Sequence, residues 1–136
     1  MADEAARLMA GRAYTRARWL LPSAYPMVGL ACTATIVTDR PKRGEHRAYI
    51  AAWRPTELVC QCLRLEKESR DRPGEEEVVS RLMLNLLAEA CGLAPRLAIT
   101  LKSGDDLTET RYDFGGKVAA LLRGDIPFSR WRITAV

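Results

Sequence analysis

A run of apolar and small residues, VGLACTATIV over Val28–Val37, constrains the fold of this chain more than any other segment. The run lacks the one-sided alternation of polar and apolar residues that a half-exposed strand shows. It therefore predicts a central strand that is buried on both faces. Three small residues within it, Gly29, Ala31 and Ala34, predict a place where a helix or a ligand comes close to the strand backbone.

Two segments with helical periodicity stand on either side of the strands. The first covers residues 3–20, and its predicted apolar face consists of Ala5, Leu8, Met9, Ala13, Ala17 and Leu20. The second covers residues 75–91, with a predicted apolar stripe of Val79, Leu82, Met83, Leu86 and Ala90. Gly92 predicts a left-handed cap at the end of this helix, and Pro95 prevents its continuation.

The remaining segments predict further strands. Residues 47–53 and 57–65 form a predicted antiparallel hairpin around Arg54-Pro55-Thr56. The tail predicts strands at 97–101, 107–112 and 128–134, with a short helix at 117–123. This order predicts an α/β fold with a central mixed sheet and helices packed against it. With 136 residues, the chain fits one domain over 1–136.

The composition argues against several classes of protein. A net charge of +4 is too small a basic excess for a typical nucleic-acid-binding domain, so nucleic acid is not the expected partner. No segment reaches the roughly 20 apolar residues that a membrane span needs. Met1–Arg12 contains Asp3 and Glu4 and lacks the apolar core of a signal peptide. Together with cysteines in apolar segments, this predicts a cytoplasmic protein.

Metal binding is not expected either. Cys60 and Cys62 share one face of a predicted strand, but a zinc site needs about four ligands. The chain has one histidine, His46, and neither Cys32 nor Cys91 stands at a ligand spacing from the pair. Two core cysteines are the favoured interpretation, and we predict no metal and no cofactor.

The loop Asp39–Arg47 (DRPKRGEHR) is the strongest candidate for a binding site. Its four cations are Arg40, Lys42, Arg43 and Arg47. Arginine forks suit bidentate contacts to phosphate or carboxylate, and ligands of open α/β sheets bind beyond strand ends such as this one. The alternative, a solvated loop, stays open.

Two further residues are candidates with open alternatives. His46 could act as a general base or proton shuttle. The alternative is a surface or structural histidine, because the sequence identifies no carboxylate that would orient a catalytic imidazole. Arg70 lies in a second charged loop that leads into the start of a helix, where anions are favoured. The alternative interpretation is that this loop is simply solvated.

These motifs resemble the C-terminal domain of the CinA (competence-damage-inducible) family, in the variant fused to a nucleotidylyltransferase domain. The resemblance rests on Asp39-Arg40-Pro41-Lys42, Gly44 and His46-Arg47, then on Arg70, Arg72, Glu75 and Glu76. It makes residues 1–95 the family-like core and 96–136 a C-terminal extension. It implies an α/β fold and pyridine-nucleotide chemistry, since active members resemble amidases that release ammonia from nicotinamide mononucleotide.

The family's serine nucleophile, lysine and tyrosine precede the matched region. The resemblance therefore implies a domain truncated on its N-terminal side, and no catalytic residue can be assigned. In addition, Cys32-Thr33-Ala34-Thr35 replaces the family's glycine-proline turn.

Three hypotheses follow. The first is a non-catalytic or incomplete domain that binds a pyridine nucleotide or similar phosphate-bearing ligand. Its predicted contacts are Arg40, Lys42, Arg43, Arg47 and Arg70, with Thr33, Thr35 and His46 as polar neighbours. The second is an amidohydrolase that acts on nicotinamide mononucleotide with a partner chain. The third is a structural oligomerisation module. We predict a homo-oligomer, since an incomplete domain exposes a strand edge and apolar surface.

Overall fold

The structure, a computed structural model, describes residues 3–22, 25–36 and 45–114. Within these ranges the elements are α1 (Asp3–Leu20), β1 (Gly29–Thr35), β2 (His46–Trp53), β3 (Glu57–Leu65), α2 (Arg72–Ala90) and β4 (Asp106–Asp113). The four strands form one sheet in the order β1-β2-β3-β4. The predicted α/β fold is confirmed.

The sheet differs from the predicted mixed sheet, because all three pairings between the described strands are antiparallel. The connection from β2 to β3 is a tight turn in which the Arg54 amide donates to the Glu57 carbonyl at 2.8 Å. Such a short connection permits only antiparallel strands. β1, expected at the centre, lies at one edge of the described sheet, and β2 and β3 are internal.

The two helices pack on opposite faces of the sheet. On β2, the alternate residues Ala48, Ile50 and Ala52 contact the α2 side, whereas Tyr49 and Ala51 contact the α1 side. The side chains that α2 packs into the apolar core are Val78, Val79, Leu82 and Leu86. The result is a three-layer arrangement in which the internal strands β2 and β3 bury side chains on both faces.

The helix α1 packs through a different face from the predicted one. Its buried residues are Ala6, Ala10 and Tyr14, whereas Leu8 is 60% exposed. The reason is Gly29 on β1: a Cβ atom there would lie 2.0 Å from the Ala10 carbonyl oxygen. The helix backbone lies directly on the strand, as predicted for the small residues of β1, and such a close approach admits alanine but excludes leucine.

Capping interactions define both ends of α2. The Asp71 carboxylate accepts a hydrogen bond from the Gly74 amide at 2.9 Å, and Pro73 occupies the first turn. At the other end, the Leu93 amide donates to the Ala88 carbonyl and Gly92 has a φ of 75°. This pattern is a Schellman motif, so the predicted left-handed cap at Gly92 is confirmed.

The segment after α2 is pinned to that helix without forming the predicted strand at 97–101. The Asn85 side chain donates to the Leu97 carbonyl at 3.0 Å and accepts from the Leu97 amide at 2.7 Å. β4 confirms the strand predicted at 107–112. The elements predicted at 117–123 and 128–134 lie outside the described residues. Across the described ranges, no helix has the length and apolar content that a membrane span requires.

The contact at Gly29 generates a testable prediction. We expect Gly29→Ala to lower the free energy of unfolding by about 3 kcal/mol, because the new Cβ must push α1 away from β1. The matched control is Gly11→Ala within α1, whose Cβ would meet only the Trp53 ring at 3.1 Å. Urea denaturation followed by circular dichroism measures both variants, and equal stability of the two would contradict this account.

Candidate functional site

The predicted site residues lie in several different parts of the chain. Arg40, Lys42 and Arg43 lie outside the described residues. Thr35 and Arg47 are cross-strand partners at the end of the sheet where β1 ends and β2 begins. Thr33 pairs with Tyr49, two residues further along each strand towards the middle of the sheet. Side chains of directly paired residues share a face, so Thr33, Thr35 and Arg47 lie on the α1 side.

His46 lies on the other side of the sheet, because side chains alternate along a strand. It precedes Arg47 at the start of β2 and points towards α2, where it contacts Glu75. The sequence therefore predicted one cluster, and the structure places its described members on two opposite faces.

On the α1 face, a groove of about 360 Å³ lies over the middle of the sheet, beside the first half of α1. Its walls combine hydroxyl groups, thiols and one guanidinium. The lining includes Ala6, Arg47, Tyr49, Cys60, Cys62, Thr108 and Thr110. The volume falls at the small end of the range for small-molecule sites in proteins.

Arg47 supplies the positive charge of this groove. Its Nη1 donates to the Tyr49 hydroxyl at 3.2 Å, and its Nε and Nη2 contact the carboxylate of Glu45. The hydrogen bond to Tyr49, followed by the one to Glu45, raises the pKa of Arg47. The guanidinium is therefore a permanent cation at the rim, and its side chain is 37% exposed.

Thr33 adds an unsatisfied polar group next to Tyr49. Its Oγ1 atom is buried and forms no hydrogen bond in the described part of the structure. Buried hydroxyl groups nearly always have a partner, which is water or a ligand when no protein group provides one. Among the predicted site residues that the structure describes, Thr33 therefore has a buried hydroxyl group without a hydrogen-bond partner.

Cys60 and Cys62 share the α1 face, as predicted from their spacing. Cys60 pairs with Ala51 and Cys62 with Tyr49, both on that face. All four cysteines are free. Within residues 3–22, 25–36 and 45–114, no three histidine, cysteine or acidic side chains come together as metal ligands.

On the α2 face, His46 and Glu75 form a buried pair. His46 is 5% exposed and Glu75 is fully buried, and the Nδ1 and Oε2 atoms lie 2.9 Å apart. The contact fixes the orientation of the imidazole ring, with Nδ1 directed at the Glu75 carboxyl group.

Glu75 is the orienting carboxylate that sequence reasoning missed. A signal was present, since Glu75 stands three and four residues before Val78 and Val79. It therefore continues the buried stripe of α2 by one turn. A glutamate on such a stripe must find a partner or be neutralised, and the one histidine of the chain was the obvious candidate.

Arg70 is occupied by Asp105. Its two terminal nitrogens donate to the two carboxylate oxygens at 3.1 and 2.6 Å, and both side chains are buried. The hydrogen bond from Arg70 is the main reason that the pKa of Asp105 falls to about 2. Asp105 also accepts from the backbone amides of Glu66 and Lys102. Arg70 therefore ties two loops together, and both of its terminal nitrogens are engaged by Asp105.

Comparisons of the chain with protein-family models, with curated proteins and with solved structures gave no match in any of the three. The resemblance to the CinA C-terminal domain thus stays a prediction. The function has to be argued from the two faces of the sheet.

The buried pair gives a prediction about stability. We expect His46→Leu and Glu75→Leu each to cost about 3–5 kcal/mol, because each breaks a buried polar pair by removing one of its two members. The double variant removes both polar groups, so its cost should be clearly below the sum of the single costs. Urea denaturation of the four proteins measures the cycle, and additive costs would show that the pair contributes no coupling.

Asp105 gives a prediction about pH. Its folded-state pKa of about 2 lies below the ordinary value of 3.8, so its stabilisation is complete above pH 3.8 and disappears as the pH falls through 2. The difference in unfolding free energy between wild type and Asp105→Asn should therefore shrink by about 2 kcal/mol between pH 7 and pH 2. Denaturation at both pH values measures it, and a constant difference would contradict the assignment.

Proposed function

We propose that this domain binds a small phosphate-bearing ligand, of the size of a mononucleotide, in the groove on the α1 face. The observation that carries the proposal is the Arg47–Tyr49 pair, which brings a permanent cation and a hydroxyl to the rim of one groove over the sheet. Of the residues expected at the site, Arg47 lines this groove, and Thr33 and Thr35 lie on the same face of the sheet, on β1. Arg40, Lys42 and Arg43 belong to the proposal through the sequence alone.

The chemistry of the groove suits an anion with several oxygens. The guanidinium of Arg47 offers parallel N–H donors of the kind that bind phosphate in a fork. The hydroxyl groups of Tyr49, Thr108 and Thr110 can each donate one further hydrogen bond. The less polar part of the lining, which includes Cys60 and Cys62, offers a surface for an uncharged ring.

Arg47 can exchange its present partner at low cost. Its contact with Glu45 is exposed, since the two side chains are 37% and 48% accessible. Exposed ion pairs contribute only about 0–1 kcal/mol. A phosphate can therefore replace the Glu45 carboxylate without breaking a structural bond, whereas removing Arg70 from the buried Asp105 would be costly.

The size of the groove narrows the ligand class. About 360 Å³ accommodates one nucleotide and leaves little room for two. A pyridine mononucleotide is the ligand that the resemblance suggests, and the volume is compatible with it. No observation in the structure favours the amidohydrolase alternative over binding, and that alternative stays a prediction from the resemblance.

Titration calorimetry with nicotinamide mononucleotide tests the proposal. We expect Arg47→Ala to weaken binding by about tenfold or more, because a charge-assisted contact contributes roughly 1.5–3 kcal/mol. Arg81→Ala is the matched control: this arginine is 39% exposed, is paired with one glutamate and lies on the α2 helix. Binding by the control should stay within about twofold of wild type.

Two ligands separate the phosphate from the rest of the molecule. Nicotinamide riboside, which lacks the phosphate, should bind at least about tenfold more weakly than the mononucleotide. Inorganic phosphate should compete with the mononucleotide and should lose affinity in Arg47→Ala. Equal affinity for riboside and mononucleotide, or equal effects of the Arg47 and Arg81 variants, would refute the proposal.

A further inference from the structure

The helix α1 is apolar on two opposite sides. One side, Ala6, Ala10 and Tyr14, is buried against the sheet. The other side exposes Leu8, Met9 and Trp19, and Trp19 is 80% exposed. A surface helix of a globular protein normally has a single apolar stripe, which faces the core. The outer side of α1 is therefore a candidate contact surface, and it borders a further groove of about 580 Å³ that includes Leu8, Trp19 and Trp53.

Charge is distributed unevenly along this outer side. Glu4 lies in the first turn, and Arg12 and Arg16 lie in the second half of the helix. Together with Leu8 these residues are spaced four apart, so they form one continuous ridge on the helix surface. In the described part of the structure, neither Glu4, Arg12 nor Arg16 has a hydrogen bond or an ion pair. The ridge thus carries an unpaired anion at one end and unpaired cations towards the other.

We infer that the outer side of α1 is the contact between two copies of this chain, packed as an antiparallel helix pair about a two-fold axis. An axis through the level of Ala10 places Glu4 of each copy opposite Arg16 of the other copy, so one type of ion pair forms twice. The same register places Leu8 of each copy against the aliphatic stem of Arg12 of the other. Antiparallel helices also bring the positive end of each helix dipole beside the negative end of the other.

The charge pattern favours a second copy over other occupants. A parallel arrangement would place arginines against arginines, which is unfavourable. An acidic peptide or an anionic lipid surface would pair with Arg12 and Arg16 but would repel Glu4 on the same ridge. A second copy of α1 in the antiparallel direction pairs the anion and the terminal cation of the ridge, since Glu4 and Arg16 of one copy meet Arg16 and Glu4 of the other.

The oligomeric state of the full chain tests this inference. Sedimentation equilibrium should give a dimer for the wild type and a monomer for Leu8→Lys, which places a second cation against Arg12 of the other copy. The matched control is Leu84→Lys on α2, since Leu84 is 53% exposed and Leu8 is 60% exposed. The control should remain dimeric. Thermal melts by circular dichroism should show that both variants are folded, because both leucines are on the surface of the single chain.

A charge exchange tests the antiparallel register. Glu4→Arg and Arg16→Glu should each raise the dimer dissociation constant by about tenfold, because each replaces two weak ion pairs with two like-charge contacts. The double variant restores opposite charges in the reversed order, so its dissociation constant should return to within about threefold of wild type. A double variant as weak as the single variants would rule out the antiparallel pairing.

Other results would overturn the inference as a whole. A wild-type chain that stays monomeric at about 100 μM would show that no dimer of useful affinity forms. Loss of the dimer in Leu84→Lys to the same extent as in Leu8→Lys would place the interface elsewhere. A monomeric wild type that binds anionic vesicles, but not neutral ones, through Leu8 and Arg16 would assign this side of α1 to a membrane surface instead.

Discussion

The direct contact between the backbone of α1 and the backbone of β1 at Gly29 determines much of the rest of the structure. Because no side chain separates the two elements there, the helix lies low over β1 and β2 and packs through alanines. Leu8 and Met9 face outward, whereas Tyr14 is buried with the alanines. The same placement leaves room beside the helix, above β3 and β4, for the groove that contains Arg47 and Tyr49. The candidate ligand site and the exposed side of α1 thus have a common structural origin.

The alternation of side chains along β2 separates two polar environments that are adjacent in the sequence. His46 points into the α2 layer, where Glu75 compensates for its burial, and Arg47 points to the rim of the groove on the other face. The first pair is fully enclosed, so its removal affects stability. The second is exposed and exchangeable, as a site that takes up a charged ligand requires. One residue step along an extended backbone therefore separates the structural role of His46 from the binding role that we propose for Arg47.

Local patterns predicted most of the elements, because they depend on residues near in sequence. The periodicity of α2, the turn between β2 and β3 and the cap at Gly92 belong to this class. Three features depended on distant residues and were not predicted. The buried face of α1 depends on Gly29, and the edge position of β1 depends on how all four strands pair. The partner of His46 is 29 residues away, and only a buried glutamate on the stripe of α2 indicated it.

The two proposed functions use opposite sides of one rigid helix, which bears on whether they influence each other. A ligand in the groove contacts the region of Ala6, and a second copy would contact Leu8, two residues further along α1. Coupling between two sites requires an element that changes its arrangement when either is occupied. The helix cannot shift towards the strand, because its backbone already touches β1 at Gly29, and moving away would uncover Ala10 and Tyr14. The packing of α1 therefore favours independent sites: the dimer would place two grooves in one particle without altering the affinity of either.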